Sequence, residues 1–227
     1  MSIALIAPGR DIGGLAAELR VQAPGIDIEV WPDLHHPDRV EFAVCWNTPS
    51  GVLASLPSLK AATSLGAGVD GILKDPGLPE ALPLGRLSGR GLGHDMAGWL
   101  LAHINSLWFD LERFARQQRQ GSWQPWSPKR SPRVGLLGTG TVAQPLIRAS
   151  LALGFEMHGW NRSGVSIDGL IVHSGQTGLT RMASRVDFLI CLLPLTLETS
   201  GILDIKLFDA MARGSVLINA GRGEHLV

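Results

Sequence analysis

Val134-Gly135-Leu136-Leu137-Gly138-Thr139-Gly140-Thr141-Val142-Ala143 decides the fold of this chain. An apolar run leads straight into Gly-x-Gly-x-x-Ala, and a helical stretch through Leu146, Ile147, Ala149 and Leu153 follows. Strand, tight turn and helix in that order open a dinucleotide-binding βαβ unit. Gly138 allows the turn, Gly140 lets the backbone approach a pyrophosphate, and Ala143 lets helix and strand lie close together. Thr139, Thr141 and Val142 complete the cradle, and the helix start offers amides and the positive end of a dipole.

The next strand ends in Trp160-Asn161-Arg162-Ser163. A site for NAD(H) presents an acidic residue to the ribose hydroxyls about 20 residues after the motif. Here Arg162 stands in that region, suited to a 2′-phosphate, with Asn161 and Ser163 as neutral hydrogen-bonding neighbours. The expectation is NADP(H) in preference to NAD(H).

Outward from this motif, short apolar runs alternate with helix-length segments, the pattern of an α/β protein with mainly parallel sheets. Before the motif lie Ile3 to Ala7, Ile26 to Trp31, Phe42 to Trp46 and Leu59 to Leu65, with Leu84 to Leu87 a candidate fifth. After it come Phe155 to Trp160, Val186 to Leu193 and Ser215 to Asn219. Residues 1–92 read as one open-sheet domain, and residues 93–227 as a long helix plus a dinucleotide-binding domain. Gly89, Gly91 and Gly93 read as the flexible junction between them. Met96, Leu100, Ile104, Leu107 and Leu111 predict one helix over about 95–120, and residues 127–132 read as a linker. Two such domains joined by a hinge are expected to hold a ligand in the cleft between them.

Composition narrows the field. Hydrophobic residues make up 45% and charged residues 18%, which suits a buried core and excludes a disordered chain. Formal net charge is zero, so nothing suggests a nucleic-acid or anionic-membrane partner. The apolar N-terminus is too short to span a membrane and lacks a basic leader, and no membrane partner is expected. Cys45 and Cys191 each fall within an apolar run and read as buried thiols, consistent with a reducing, cytoplasmic setting. His35-His36 has no third ligand in view, so no metal site is expected.

Further segments carry a family resemblance. Leu192-Leu193-Pro194-Leu195-Thr196-Leu197-Glu198-Thr199 and Asn219-Ala220-Gly221-Arg222-Gly223 resemble segments of the D-2-hydroxyacid dehydrogenases. Leu65-Gly66-Ala67-Gly68-Val69-Asp70, Cys45-Trp46-Asn47 and Gly121-Ser122-Trp123-Gln124-Pro125 resemble the glyoxylate/hydroxypyruvate reductase A-like branch. The resemblance implies a flavodoxin-like substrate domain followed by a Rossmann domain, incomplete at its C-terminus. It also implies an NADPH-dependent reductase of small 2-oxo acids, working as a homodimer. Gly66, Ala67, Gly68 and Val69 would then hold the substrate carboxylate, with the Ala67 and Gly68 amides as donors, and Trp46 would wall the pocket. Arg222 would be the catalytic arginine, polarising the 2-oxo group. Leu193, Pro194, Ala220, Gly221 and Arg222 would line the coenzyme.

In that family the general acid is a histidine held by a carboxylate, and both follow the arginine, beyond Val227. Glu224-His225 is not a substitute, because side chains so close in one turn diverge. His94, His103, His158 and His173 read as structural or solvent-facing. A chain ending at Val227 is therefore expected to bind NADPH weakly and to turn over neither glyoxylate nor hydroxypyruvate. The alternative is a nucleotide-binding relic or regulatory subunit without catalysis. A methyltransferase using the glycine motif is a third reading, which the Pro194 and Arg222 segments oppose.

Overall fold

The computed structural model describes residues 1–87 and 90–227, and the chain divides into two units, Met1–Ser88 and Gly89–Val227. The first unit runs β1 (Ser2–Ile6), α1 (Gly13–Gln22), β2 (Asp27–Val30), β3 (Val40–Cys45), β4 (Ala61–Ser64), α2 (Asp70–Leu73) and β5 (Leu84–Arg86). Its five strands are all parallel in the order β2-β1-β3-β4-β5, the flavodoxin-like order. Successive side chains of β1 serve opposite faces of the sheet. Leu5 lies with Ile28 and Ala16 of α1, whereas Ala4 and Ile6 lie with Leu53, Leu56 and Ile72. The β3-to-β4 crossover is a series of turns, and Leu53 and Leu56 supply the buried face a helix would otherwise provide.

The second unit begins with α3 (Arg90–Trp108) and α4 (Leu111–Arg119). It continues through β6 (Arg133–Leu137), α5 (Gln144–Ala152), β7 (Glu156–Trp160), β8 (Ile171–His173), α6 (Gly175–Ala183), β9 (Phe188–Cys191), α7 (Ile205–Ala210) and β10 (Val216–Asn219). The parallel order β10-β9-β6-β7-β8 is the Rossmann order 3-2-1-4-5 counted from β6. One face carries Val134, Leu136, Leu146, Ile147 and the α3 residues Leu100 and Ile104. The other carries Leu137, Leu189 and Cys191 under Leu179, Met182 and Leu207 of α6 and α7. Cys45 and Cys191 are both free and buried, and burial pushes each thiol up from its ordinary pKa.

Several expectations need correction. The junction glycines Gly91 and Gly93 lie inside α3, and the division falls at Ser88/Gly89 rather than at 92/93; Gly89 is outside the described residues. Gly93 is small for a packing reason, since a Cβ there would sit 3.1 Å from Pro145 Cγ of α5. The single helix over 95–120 is two helices. Asp110 adopts the left-handed conformation (φ 48°) and its carboxylate accepts the Arg113 amide at 3.2 Å, stopping one helix and capping the next. Leu100 and Ile104 are fully buried, but Leu107 and Leu111 beside the break are about half exposed. Finally, β8 is an additional edge strand, only three residues long.

The stretch read as a linker contains a structural anchor. Both guanidinium arms of Arg130 donate to Asp187, at 2.6 and 2.7 Å, and Arg133 donates to the same carboxylate through its side chain and its amide. Burial opposes ionisation of Asp187, but these donors outweigh it and hold the carboxyl well below the usual range. Asp187→Ala is expected to cost about 2–3 kcal/mol in urea unfolding at neutral pH. A depressed carboxylate pKa stabilises above the unfolded value of about 3.9 and loses that contribution as pH falls below it. The deficit should therefore shrink below pH ~4, as unfolding at several pH values would read out.

Candidate functional site

In the second unit the strand order reverses between β6 and β9, so the loops leaving their C-terminal ends form a topological switch point, where open α/β sheets bind ligands. Gly138 follows β6 with φ 93°, and a Cβ there would lie 3.1 Å from the Leu192 carbonyl oxygen at the end of β9. Only glycine satisfies both constraints. Gly140 differs: its φ is outside the left-handed region, and a Cβ would meet nothing within 4 Å. The fold itself leaves open space over the Gly140 backbone. Gly159 on β7 is the third small residue, because a Cβ there would overlap Leu170 and press on Thr139. The α-helix itself starts only at Gln144, later than the motif suggests, and Thr141 to Ala143 form a preceding turn in which the Ala143 amide donates to Gly140.

The turn is tethered on two sides. Gln144 Nε2 donates to the Thr139 carbonyl at 3.0 Å, and Asn161 Nδ2 donates to Thr139 Oγ1 at 3.3 Å. Asn161 in turn accepts from Ser163 Oγ, and its amide donates to the His173 carbonyl of β8. Thr139, Asn161 and Ser163 are thus one hydrogen-bonded group. Arg162 is exposed beside them. Thr196 first, and the charge of Arg162 further down, hold the Glu198 carboxyl below its ordinary value, so Arg162 lies within electrostatic reach of the β9 loop. Gln144 is absent from the sequence reading; an amide four residues beyond the second motif glycine is its only signal.

The β9 and β10 loops are fastened to each other. Thr199 Oγ1 donates to the Pro194 carbonyl at 2.6 Å and accepts the Thr196 amide. After β10, the Asn219 side chain accepts the Gly221 amide and donates to the Arg222 carbonyl, closing the turn that carries Ala220, Gly221 and Arg222. His225 is fully buried behind that turn. Its Nδ1 accepts the Arg222 amide at 2.9 Å, and its Nε2 donates to the Pro194 carbonyl at 3.3 Å. The ring also sits 3.0 Å from where a Gly221 Cβ would be. His225 joins the Pro194 loop to the Arg222 turn and is turned inward. His225→Ala should lose roughly 2 kcal/mol of stability through the stranded Arg222 amide and Pro194 carbonyl, and His225→Gln should restore part of it, as chemical denaturation would measure.

In the first unit the residues that the resemblance assigns to a substrate loop are close neighbours. Trp46 follows β3, half-buried, and its ring lies against Gly66, where a Cβ would overlap it. Ser64 Oγ accepts the Gly66 amide at 3.1 Å and donates to the Gly68 carbonyl at 2.6 Å. Gly66 therefore keeps its amide for the loop itself. Among the described residues the Ala67 and Gly68 amides donate to no protein acceptor and are available to an anion. Val69 caps the short α2. Ser64, unnoticed in the sequence, holds this loop in shape.

Other histidines have defined places. His158 and His173 are buried and stacked, His158 Nδ1 lying 3.1 Å from His173 Nε2, while His158 Nε2 meets Glu156 at 2.8 Å. Burial first, then His158, pushes the His173 pKa down. Among the described residues no helix is long and apolar enough to cross a membrane, and no cluster of His, Cys, Asp and Glu could hold a metal.

Comparison with known proteins agrees with this geometry. Residues 101–227 match the family model for the NAD-binding domain of D-isomer-specific 2-hydroxyacid dehydrogenases. The chain is 34% identical over 219 residues to glyoxylate/hydroxypyruvate reductase A of Serratia proteamaculans, covering 93% of this chain and 69% of that protein. A D-isomer-specific 2-hydroxyacid dehydrogenase from Xanthobacter autotrophicus, solved with NADPH and MES, superposes with a TM-score of 0.89 at 28% identity, covering 99% of this chain and 73% of that one. The NADPH-dependent glyoxylate/hydroxypyruvate reductase of Sinorhizobium meliloti, solved with NADP and sulfate, gives 0.86 at 30% identity, covering 100% of this chain and 74% of that one. By sequence and by fold, the chain belongs to the D-isomer-specific 2-hydroxyacid dehydrogenases, a family of oxidoreductases.

Proposed function

We propose that this site serves an NADPH-dependent reduction of small 2-oxo acids, of the glyoxylate and hydroxypyruvate kind, to 2-hydroxy acids. The observation that carries the reading is the open backbone at Gly140 beside the constrained Gly138, which fits a pyrophosphate. The bound coenzyme supplies a hydride and solvent the proton that completes the hydroxyl; binding, orientation and polarisation fall to the chain. Gly138, Thr139, Gly140, Thr141 and Val142 hold the phosphates, and Asn161, Arg162 and Ser163 receive the 2′-phosphate. Leu193, Pro194, Ala220 and Gly221 line the remaining coenzyme surface. The first unit, Met1–Ser88, acts as the substrate domain, where Ala67 and Gly68 donate amides to the carboxylate, with Gly66 and Val69 shaping the loop and Trp46 walling it. Arg222 polarises the 2-oxo group as negative charge builds on its oxygen. Support for the coenzyme and substrate comes from the Sinorhizobium relative, an NADPH-dependent glyoxylate/hydroxypyruvate reductase.

One observation favours a second reading for a polypeptide of these 227 residues, namely coenzyme binding without turnover. The histidine adjoining the Arg222 turn, His225, is fully buried and bonded to backbone, so it gives no proton to a substrate. Losing general acid help slows a reaction by about 10²–10⁴-fold. The test is to titrate a mass-verified 227-residue chain with NADPH by fluorescence, then add glyoxylate and follow nicotinamide absorbance. Saturable, weak NADPH binding with negligible oxidation is expected. Absence of binding overturns the coenzyme site, and brisk oxidation overturns the reading without turnover.

A homodimer is part of the proposal. Trp99, Phe109 and Leu111 of the α3–α4 segment are 50%, 43% and 51% exposed, an apolar surface suited to a second copy. Light scattering should give twice the chain mass. Free, buried Cys45 and Cys191 support a reducing, cytoplasmic setting.

A further inference from the structure

The first sheet also has a switch point. Its strand order reverses between β1 and β3, and the loops leaving those two strands carry Ala7-Pro8-Gly9-Arg10 and Trp46. The first loop is a tight turn with Pro at its second position and Gly at its third. Gly9 has φ 75°, and the Arg10 amide donates to the Ala7 carbonyl at 3.1 Å. That is the sequence pattern of a type II turn, which fixes where Arg10 leaves the backbone. The guanidinium carbon of Arg10 lies 3.9 Å from the centroid of the Trp46 ring. The same ring rests against Gly66. Guanidinium, indole and the amide loop at Ala67 and Gly68 therefore form one cluster at the ligand-binding edge of the sheet.

Arg10 brings a positive charge to this cluster. Among the described residues Arg10 forms no ion pair. The adjacent carboxylate, Asp11, accepts the Gly13 amide at 3.0 Å. A guanidinium offers five donors in a planar fork, and stacking on an indole leaves the edges of that fork free to bind. A monocarboxylic 2-oxo acid held by the Ala67 and Gly68 amides has no group to offer it. A second carboxylate, one or two carbons away, does.

We propose that Arg10, seated on Trp46, is a specificity-determining residue that selects 2-oxo and 2-hydroxy acids carrying a second carboxylate. The proposal rests on the reading of Ala67 and Gly68 as the carboxylate loop. Trp46 orients the guanidinium and shields it on one face, and Arg10 reads the distal end of the substrate. Substrate preference at this site is then set partly by a residue of the first β-turn.

Ligand-observed NMR titrations with glycolate and with tartronate, its analogue bearing a second carboxylate, test this on the intact chain. The unmodified protein should bind tartronate about tenfold more tightly than glycolate, the scale of one charge-assisted hydrogen-bonding contact. Arg10→Met keeps an apolar chain against Trp46 and removes the charge. It should bring tartronate to the level of glycolate while leaving glycolate within about twofold. Arg10→Lys should retain part of the preference, and added salt should erode it. Equal affinity for both acids in the unmodified chain overturns the proposal alone. So does an equal loss of both in Arg10→Met, which makes Arg10 a prop for Trp46. Failure of both acids to bind overturns the carboxylate-loop reading and this proposal with it.

Discussion

Gly140→Val should abolish measurable NADPH binding while leaving the stability of the chain almost untouched. Gly140 is exposed, its backbone is in a region open to any residue, and a Cβ there meets nothing within 4 Å. A Cβ therefore adds no clash at this exposed position, and stability should stay within about 0.5 kcal/mol, the usual range for surface substitutions. The same side chain fills the space that a pyrophosphate needs over the Gly140 amide. Losing two phosphate hydrogen bonds at about 1.5–3 kcal/mol each lowers affinity at least about 100-fold. Gly138→Ala is the matched control, because its φ of 93° and the nearby Leu192 carbonyl make it a defect of the fold. Unfolding curves and fluorescence titrations should separate the two: Gly138→Ala loses stability, and Gly140→Val loses only the ligand. Unimpaired NADPH binding by a folded Gly140→Val chain would refute the phosphate cradle.

That contrast shows what sequence patterns carry. Strand, glycine turn and helix are local, so Val134 to Ala143 announces β6, its turn and α5 with small error. The division of labour between Gly138 and Gly140 is not local. It depends on Leu192, which arrives from another strand of the sheet. The helix break at Asp110 was hidden for a related reason: periodic leucines continue through it, and only the left-handed backbone and the capping carboxylate mark the stop. Strand β8 is short and lies at an edge, too brief for an alternation to register. Arg130 sits in a stretch whose prolines and serines read as linker, yet its partner Asp187 is far along the chain. His225 illustrates the opposite case. Its exclusion from catalysis follows from its place in one turn, and burial against Pro194 gives it a structural role that spacing alone does not reveal. Resemblance points to Gly66–Val69 as a segment, whereas the commitment of the Gly66 amide to Ser64 depends on how that segment folds back on β4.

Arg162→Ala should weaken NADPH by about 10- to 150-fold and NADH by less than about twofold, the range of one or two charge-assisted contacts to a phosphate. The argument is geometric before it is electrostatic. Asn161 is fixed by Thr139 on one side and by the His173 carbonyl on the other, so the loop leaving β7 has a set path and Arg162 projects from it exposed. No carboxylate occupies Trp160 to Ser163 to repel a 2′-phosphate. Thr196 first, and then the charge of Arg162, lower the Glu198 carboxyl on the β9 loop. A bound 2′-phosphate would compete with Glu198 for the guanidinium, so Glu198→Gln should raise NADPH affinity modestly and leave NADH unchanged. Salt should shrink the Arg162 effect, because the contact is exposed. Equal losses of both coenzymes in Arg162→Ala would assign the arginine to the loop rather than to the phosphate, and the NADP(H) preference would then need another source.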